Sequence, residues 1–452
     1  MKEGRIFGIE NLSDPKGFAE QMQSKAQELG LILNGNVIPF FPIPMMLEGK
    51  TDQYFREVGI VYRVLRKIED WLCTDTEARQ QLLYPYLSQA EITLVEAATK
   101  RRPTTADRRN TRFDTFLTPE GIKIIELNSL CPEGIHYHDA LIELGILAHQ
   151  LTNQKVNSEA YRKRSTARQV LEMMLNEFRE RRPGKSISRI GIVYDHDSVS
   201  EVNQVELPIL AERFSQIAKD YFGLTLEAIV GTVEEVFAKD ERMLIGDQEI
   251  DVMWRNNLEP ALYRELNPAG KKNVPGLIEI ITNPDKYIVL NDEAGRIIGN
   301  KILFALLHDP NIQQMFSQEE IEVIKRVIPY TAILTEESLS KFLRNNTPFV
   351  IKPVVGVHGK NVYFSQNYQN IDELRRSLPQ GFFIIQEQVP YPTANLPTIT
   401  ENGIETVSVN WDLNIHHIGG RPQGTCICRA SPTRKQLGVL NVAAGGGFLI
   451  VM

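Results

Sequence analysis

At 452 residues with a formal net charge of −7, the chain has room for roughly two to four domains and lacks the basic excess of a nucleic-acid binder. Hydrophobic residues make up 42% and charged residues 24%, the balance of an ordinary globular protein. The most apolar stretch, Leu31 to Leu47, is interrupted by Asn34, Gly35, Asn36 and prolines, and the charged start Met1-Lys2-Glu3-Gly4-Arg5 lacks a signal-peptide core. A cytoplasmic protein is therefore expected, with neither membrane nor nucleic acid as partner.

Residues 1–50 read as a helix from Pro15 to Leu29, then a proline-rich arm in which Ile43-Pro44-Met45-Met46 covers core. Tyr54, Val58, Tyr62, Leu65, Ile68 and Leu72 recur at helical spacing, and Leu87, Ile92, Leu94, Ala97 and Ala98 form a second stripe. Lys100-Arg101-Arg102 close that second helix, where cations suit the dipole. Next come two apolar runs, Phe113–Leu117 and Ile122–Leu127, around the turn Thr118-Pro119-Glu120-Gly121. They predict a β-hairpin. Strand alternation puts Arg112 and Asp114 on one face, and Glu126 and Asn128 on one face. If the strands pair in register, these polar groups converge on a patch whose oxygens suit Mg²⁺. A solvated hairpin face is the alternative.

His136-Tyr137-His138-Asp139 then precedes a helix over 139–151; without a third ligand the histidines read as structural rather than metal-binding. An amphipathic helix from Ser158 to Arg181 ends in the linker Arg181-Arg182-Pro183-Gly184. From Ile187 the pattern alternates: strand 189–195, helix 201–221, extended Leu224–Val230, a short helix, and strand Asp251–Trp254. That is a parallel α/β unit. Ligands sit beyond the carboxyl ends of such strands, where Asp195, His196, Asp197, Arg255, Asn256 and Asn257 fall, as substrate contacts or as loop caps.

Lys301 opens the apolar helix Ile302–Leu307, a position that opposes the dipole unless an anion is near. Strand Pro348–Pro353 carries Lys352 and leads through a glycine turn, Gly356-Val357-His358-Gly359, into a returning strand; such a loop can bring backbone N–H groups to phosphate. Phe382–Val389 ends in Gln386 and Glu387, the acceptor edge that an adenine slot needs. Thr406–Asn414 and Thr425–Ala430 are expected to pair around Gly419-Gly420-Arg421-Pro422, with Arg429 at the strand end. After Asn441, packing does not call for the run Gly445-Gly446-Gly447, which reads as backbone approaching an anion, with a flexible connection as the alternative. Four cysteines, Cys73, Cys131, Cys426 and Cys428, are too few for a disulfide scaffold. Cys426 and Cys428 share a strand face without two further zinc ligands, so buried thiols are expected.

Together these segments resemble an ATP-grasp carboxylate–amine ligase of the circularly permuted type, similar to eukaryotic-type glutathione synthetase and the synthetase module of glutathionylspermidine synthetase. The resemblance covers 112–134, 187–257 and most of 284–452, and little of 1–100. It implies an α/β (α+β) ATP-grasp fold with a parallel α/β substrate-binding unit and a helical N-terminal part. Its divisions are 1–183, 184–283 and 284–452. It implies ATP and Mg²⁺, with Asp114, Glu126 and Asn128 on the metal and Arg112 and Arg429 as catalytic groups. Lys301 and Lys352 would grip phosphates, Gly356, His358 and Gly359 would form the lid, and Gln386 and Glu387 would meet adenine. Asn441, Gly445 and Gly446 would complete the nucleotide site. His358 departs from the acidic or small residue that relatives carry. The implied partners are small-molecule carboxylate and amine substrates (amino acid, peptide or polyamine), with a homodimer as an allowed assembly. The implied reaction is amide formation through an acyl phosphate; a small-molecule kinase or an inactive nucleotide-binding protein are the alternatives.

Overall fold

The computed structural model describes residues 12–33, 35–41, 50–100, 109–196, 201–267, 274–355, 361–400, 403–423, 426–433, 440 and 446–451, without the side chains of 201–204, 400, 403, 450 and 451. The hairpin consists of Asn110–Thr118 and Gly121–Asn128, turned by Gly121 at φ 132°. Arg112 faces Asn128 and Asp114 faces Glu126 across the pair, and the register shifts between Asp114 and Thr115. Phe113 and Leu127, opposite each other, turn the other way into a core with Val58, Leu65 and Ile68 of helix Thr51–Thr74. One face is thus dry and the other polar.

This hairpin is one edge of an eight-stranded sheet. Its order runs Thr393–Thr400, Gly403–Trp411, Cys426–Pro432, Leu413–Ile418, Asn110–Thr118, Gly121–Asn128, with Gly447–Val451 attached to Cys426–Pro432 and Arg421–Pro422 attached to Leu413–Ile418. The last strand of the chain and its early hairpin share one sheet, as the rotated segment order implies. A second, antiparallel sheet of Thr331–Ile333, Phe383–Glu387, Phe349–Pro353 and Tyr363–Phe364 carries Lys352 and Gln386. A third, parallel sheet is ordered Val289–Leu290, Val252–Asn256, Arg189–Tyr194, Glu227–Thr232, so the α/β unit takes its edge strand from beyond residue 283.

Several expected elements differ. The short helix expected after Val230 is a single 3-10 turn, Val233–Glu235, and a three-stranded meander follows it, Val236–Lys239, Arg242–Ile245 and Gln248–Ile250. Asp240 and Glu241 take φ of 50° and 60°, the two left-handed residues of a tight hairpin turn, while Val236, Met243, Ile245 and Ile250 bury one face. Helix Ile135–Leu151 starts four residues earlier than expected, behind Gly134 at φ 95°, so His136 and His138 lie inside it. Helix 158–181 is two helices, Ser158–Arg162 and Thr166–Arg181, because Ser165 caps the second by accepting from the Arg168 N–H. Thr393–Thr400, where no strand is expected from the sequence, is an edge strand, a place where Pro397 is tolerated. The strand expected over 406–414 breaks at Asp412 into two. Among the described residues no helix is long and apolar enough to cross a membrane.

Candidate functional site

A cleft of about 400 Å³ opens where the two antiparallel sheets and the parallel unit meet. Arg112, Asp114, Glu126, Asn128, Lys301, Lys352, Gln386, Glu387 and Arg429 all line it, although they come from distant parts of the chain. Lys301 Nζ lies 2.9 Å from Glu126 Oε1. Lys352 donates to the Ile125 carbonyl at 2.9 Å and to Gln386 Oε1 at 2.8 Å. The hairpin thus touches both lysines directly.

Asp114 is the hub. It accepts from Arg112 Nε at 2.8 Å, from Asn128 Nδ2 at 3.3 Å and from Arg429 Nη2 at 2.8 Å. Burial alone would raise its carboxyl, but Arg112 and Arg429 outweigh that and hold it at about 2. Glu126 is also lowered: Lys301 and Lys352 together overcome burial and the like charge of Asp114. Burial pulls the Lys352 ammonium down to about 8, with Lys301 adding to the fall and Glu126 opposing it. Arg429 is raised, since Asp412 and Asp114 outweigh the effect of its burial.

Asp412 escaped the sequence reading. It accepts from the Arg429 N–H and Nε, both at 2.7 Å, and from Asn414 Nδ2 at 2.7 Å. Its signal was present, an acid and an amide two apart in the apolar run around Leu413, the same alternation that marks Arg112 and Asp114. Here the strand break at Asp412 hid it. Burial raises its carboxyl against the pull of Arg429.

Gln386 lines the cleft, but its side-chain amide is engaged by the protein. It is buried, with Oε1 on Lys352 and Nε2 donating to Thr331 Oγ1 at 2.9 Å, so its amide orients the lysine. Glu387 stays at the exposed rim, beside an apolar wall of Val350, Val354 and Phe364. Gly356, His358, Gly359, Asn441 and Gly445 lie outside the described residues. Gly446 is buried, and packing does account for its neighbour: a Cβ on Gly447 would stand 2.4 Å from the Pro39 carbonyl. That corrects the expectation that packing could not explain the glycine run.

The other candidates separate cleanly. Arg255 is fully buried in a network with Glu293 and with Glu259 at 2.6 Å, so it is structural. Asp195 is buried 3.2 Å from Arg264, Asn256 accepts from Cys131, and Asn257 alone of the six lines the cleft. His196 is exposed and Asp197 lies outside the described residues. His136 Nε2 meets the Leu29 carbonyl and His138 Nδ1 meets Thr166 Oγ1, both at 2.7 Å, which are core contacts. Cys426 and Cys428 are buried free thiols, raised by burial.

Among the described residues no three His, Cys, Asp or Glu side chains converge as a metal cage. On the hairpin, Glu126 and the Asn128 amide are the oxygen donors that line the cleft beside Lys301, with Asp114 next to them already holding two guanidiniums. One carboxylate plus an amide oxygen fits Mg²⁺, which takes the rest of its shell from phosphate and water, and does not fit a tetrahedral nitrogen–sulfur site. Four cations (Arg112, Arg429, Lys301, Lys352) face three acids (Asp114, Glu126, Asp412), so this end of the cleft is built to receive anions.

No protein-family model matches the chain, and no curated protein matches it. Among solved structures, a glutathione synthetase-like effector from Globodera pallida, in its apo form, aligns with a TM-score of 0.63 at 10% identity, covering 96% of this chain and 96% of that one. A γ-glutamylcysteine synthetase-like protein from Methylobacillus flagellatus covers 85% of this chain and 86% of its own at TM-score 0.40 and 10% identity. A RimK-domain ATP-grasp protein from Sphaerobacter thermophilus covers 51% and 88% at TM-score 0.26 and 13% identity. The effector is alike across nearly its whole length. The chain therefore shares the α/β fold of this glutathione synthetase-like effector.

Proposed function

We propose that the protein is an ATP-dependent ligase that joins a carboxylic acid to an amine and releases ADP and phosphate. One observation carries this reading: Glu126 meets Lys301 at 2.9 Å while Lys352 reaches the neighbouring Ile125 carbonyl at 2.9 Å. Metal-type oxygens and phosphate-type cations from separate segments therefore share one wall.

In this reading Lys301 and Lys352 bind the β- and γ-phosphates of ATP, and Glu126 with Asn128 would hold Mg²⁺. When bound, that ion neutralises phosphate charge and fixes the phosphates in line. The substrate carboxylate attacks the γ-phosphorus, giving an acyl phosphate and ADP. The amine then attacks the acyl carbon, and phosphate departs as the amide forms. Arg112 and Arg429 stabilise charge on the transferred group and on the tetrahedral intermediate. Asp114 keeps those two guanidiniums aimed. Asp412 holds Arg429 from the other side. No protein nucleophile is needed: Cys131 lines the cleft, but burial raises its thiol and makes it a poor thiolate.

The test is ADP release against a matrix of carboxylic acids and amines, with products identified by mass. Ligation yields ADP, free phosphate and a conjugate. Phosphate retained on the product would make the enzyme a kinase, and bound ATP without ADP across the matrix would remove the catalytic reading.

A further inference from the structure

The sheet face that carries the two arginines turns apolar beside Arg429. Phe448 stands opposite Arg429 across a strand pair. Ile427, two residues before Arg429 on the same strand, shares its face and lies opposite Asn414. Ile427 and Phe448 are buried by the surrounding protein, yet both reach the cleft wall. Tyr137, in the first turn of helix Ile135–Leu151, lines the cleft next to them, its ring 5.5 Å from that of Phe448 and tilted by 31°. Gly134 rests on Ile427, since a Cβ there would touch Ile427 Cδ1 at 3.7 Å. A molecule held by its carboxylate on Arg429 therefore has hydrocarbon beside it.

The polar groups around this apolar wall are committed to one another. Asp412 and Asp114 hold Arg429 at 2.6 and 2.8 Å, and Asn414 donates to Asp412 at 2.7 Å. Arg112 is held by Asp114 at 2.8 Å and by the Glu133 carbonyl at 3.2 Å. Both aspartates thus serve the arginines, and an ammonium group next to a reacting carboxylate would stand beside two guanidiniums. Farther along the wall, burial and the like charge of Glu133 push Glu206 up to about 8, so at pH 7 it is neutral. The Glu133 carboxylate would repel a second carboxylate.

We infer that the acyl donor is a monocarboxylic acid with an apolar body, its carboxylate on Arg112 and Arg429 and its chain or ring on Ile427, Phe448 and Tyr137, so that acids bearing a second charge are selected against. The identity of this molecule as acyl donor rests on the ligase reading; the apolar acid site does not.

Calorimetric titration of the full chain, with Mg²⁺ and a non-hydrolysable ATP analogue present, compares hydrocinnamate, acetate and succinate. Hydrocinnamate keeps the carboxylate of acetate and adds only hydrocarbon, so it is expected to bind at least about tenfold more tightly, with succinate no tighter than acetate. In Ile427→Thr and Phe448→Leu the ratio of hydrocinnamate to acetate affinity should fall by about threefold or more. A general loosening of the fold would leave that ratio alone, because the two acids share one carboxylate site. Equal affinity for hydrocinnamate and acetate, tighter binding of succinate, or a ratio unchanged in both variants overturns the inference. If Ile427→Thr shows no cooperative thermal transition, Phe448→Leu decides alone. ADP release with the same acids and a panel of amines is scored separately. ADP formed with succinate and not with hydrocinnamate overturns the inference and keeps the ligase reading. Bound hydrocinnamate without ADP under any amine removes the ligase reading and leaves the apolar acid site standing.

Discussion

Arg429 Nη2 lies 2.8 Å from Asp114 Oδ2, a salt bridge between residues 315 positions apart. The same nitrogen lies 2.6 Å from Asp412 Oδ2, so one guanidinium is shared by two buried acids from neighbouring parts of the sheet. Such a fork holds the arginine in one rotamer, which a flexible surface arginine cannot match.

Asp412→Asn should therefore loosen Arg429 without unfolding the sheet. ADP release is expected to fall by about tenfold to a hundredfold, in line with the loss of one charge-assisted contact worth roughly 1.5–3 kcal/mol. Steady-state kinetics beside a melting curve checks this. Wild-type turnover in the variant would dismiss the positioning role.

Glu126→Ala removes a hairpin carboxylate that lines the cleft and its 2.9 Å contact with Lys301. Amine-dependent ADP release should drop below detection while the circular dichroism spectrum stays unchanged, since the side chain faces the cleft and not the core. Retained turnover would take Glu126 out of the site.

Lys352 sets a pH dependence. Burial first, and Lys301 after it, bring its ammonium down to about 8 in the free protein, so the lysine is charged below that pH and neutral above it. Phosphate binding needs the charged form. Affinity for an ATP analogue should be level up to about pH 7 and then fall by up to about tenfold per unit above pH 8. In Lys352→Met the affinity should be about tenfold lower at pH 7 and the step at 8 should vanish. A step that persists in that variant would assign it to another group.

Away from the cleft, Arg109 and Glu69 form a fully buried ion pair that ties the start of the hairpin to helix Thr51–Thr74. Removing Glu69 takes the nearest counter-charge from a fully buried guanidinium, with Asp292 farther away at 3.7 Å. Glu69→Ala should cost about 3–5 kcal/mol, measured by chemical denaturation. A loss below about 1 kcal/mol would show that the pair contributes little.

Packing reaches the site through a glycine. A Cβ on Gly295 would stand 2.7 Å from the Ser129 carbonyl, and Ser129 follows Asn128 directly. Ser129 Oγ also donates to the Gly295 carbonyl at 2.5 Å. Gly295→Ala is expected to push the strand end that carries Asn128 and to raise the Mg²⁺ concentration needed for ADP release. An unchanged Mg²⁺ requirement would show that the strand absorbs the methyl group.

The local facts about this protein were readable from the chain itself. A strand repeats every two residues and a hairpin turn joins its strands within a few positions, so the hairpin itself follows from neighbouring residues, but its regular register would pair Asp114 with Ile125, and only the shift between Asp114 and Thr115 sets Glu126 opposite Asp114 and Asn128 opposite Arg112. Helix Pro15–Glu28 and the burial of Cys426 and Cys428 were readable in the same way as the hairpin. Tertiary structure decided what each polar group meets. Whether Gln386 faces a ligand or orients Lys352, whether Arg255 binds or braces, and that Asp412 belongs to the site at all depend on side chains delivered from elsewhere in the chain. Alternation tells which way a side chain points, but the electrostatics of a buried group are set by neighbours across the sheet, and sequence distance carries no record of those.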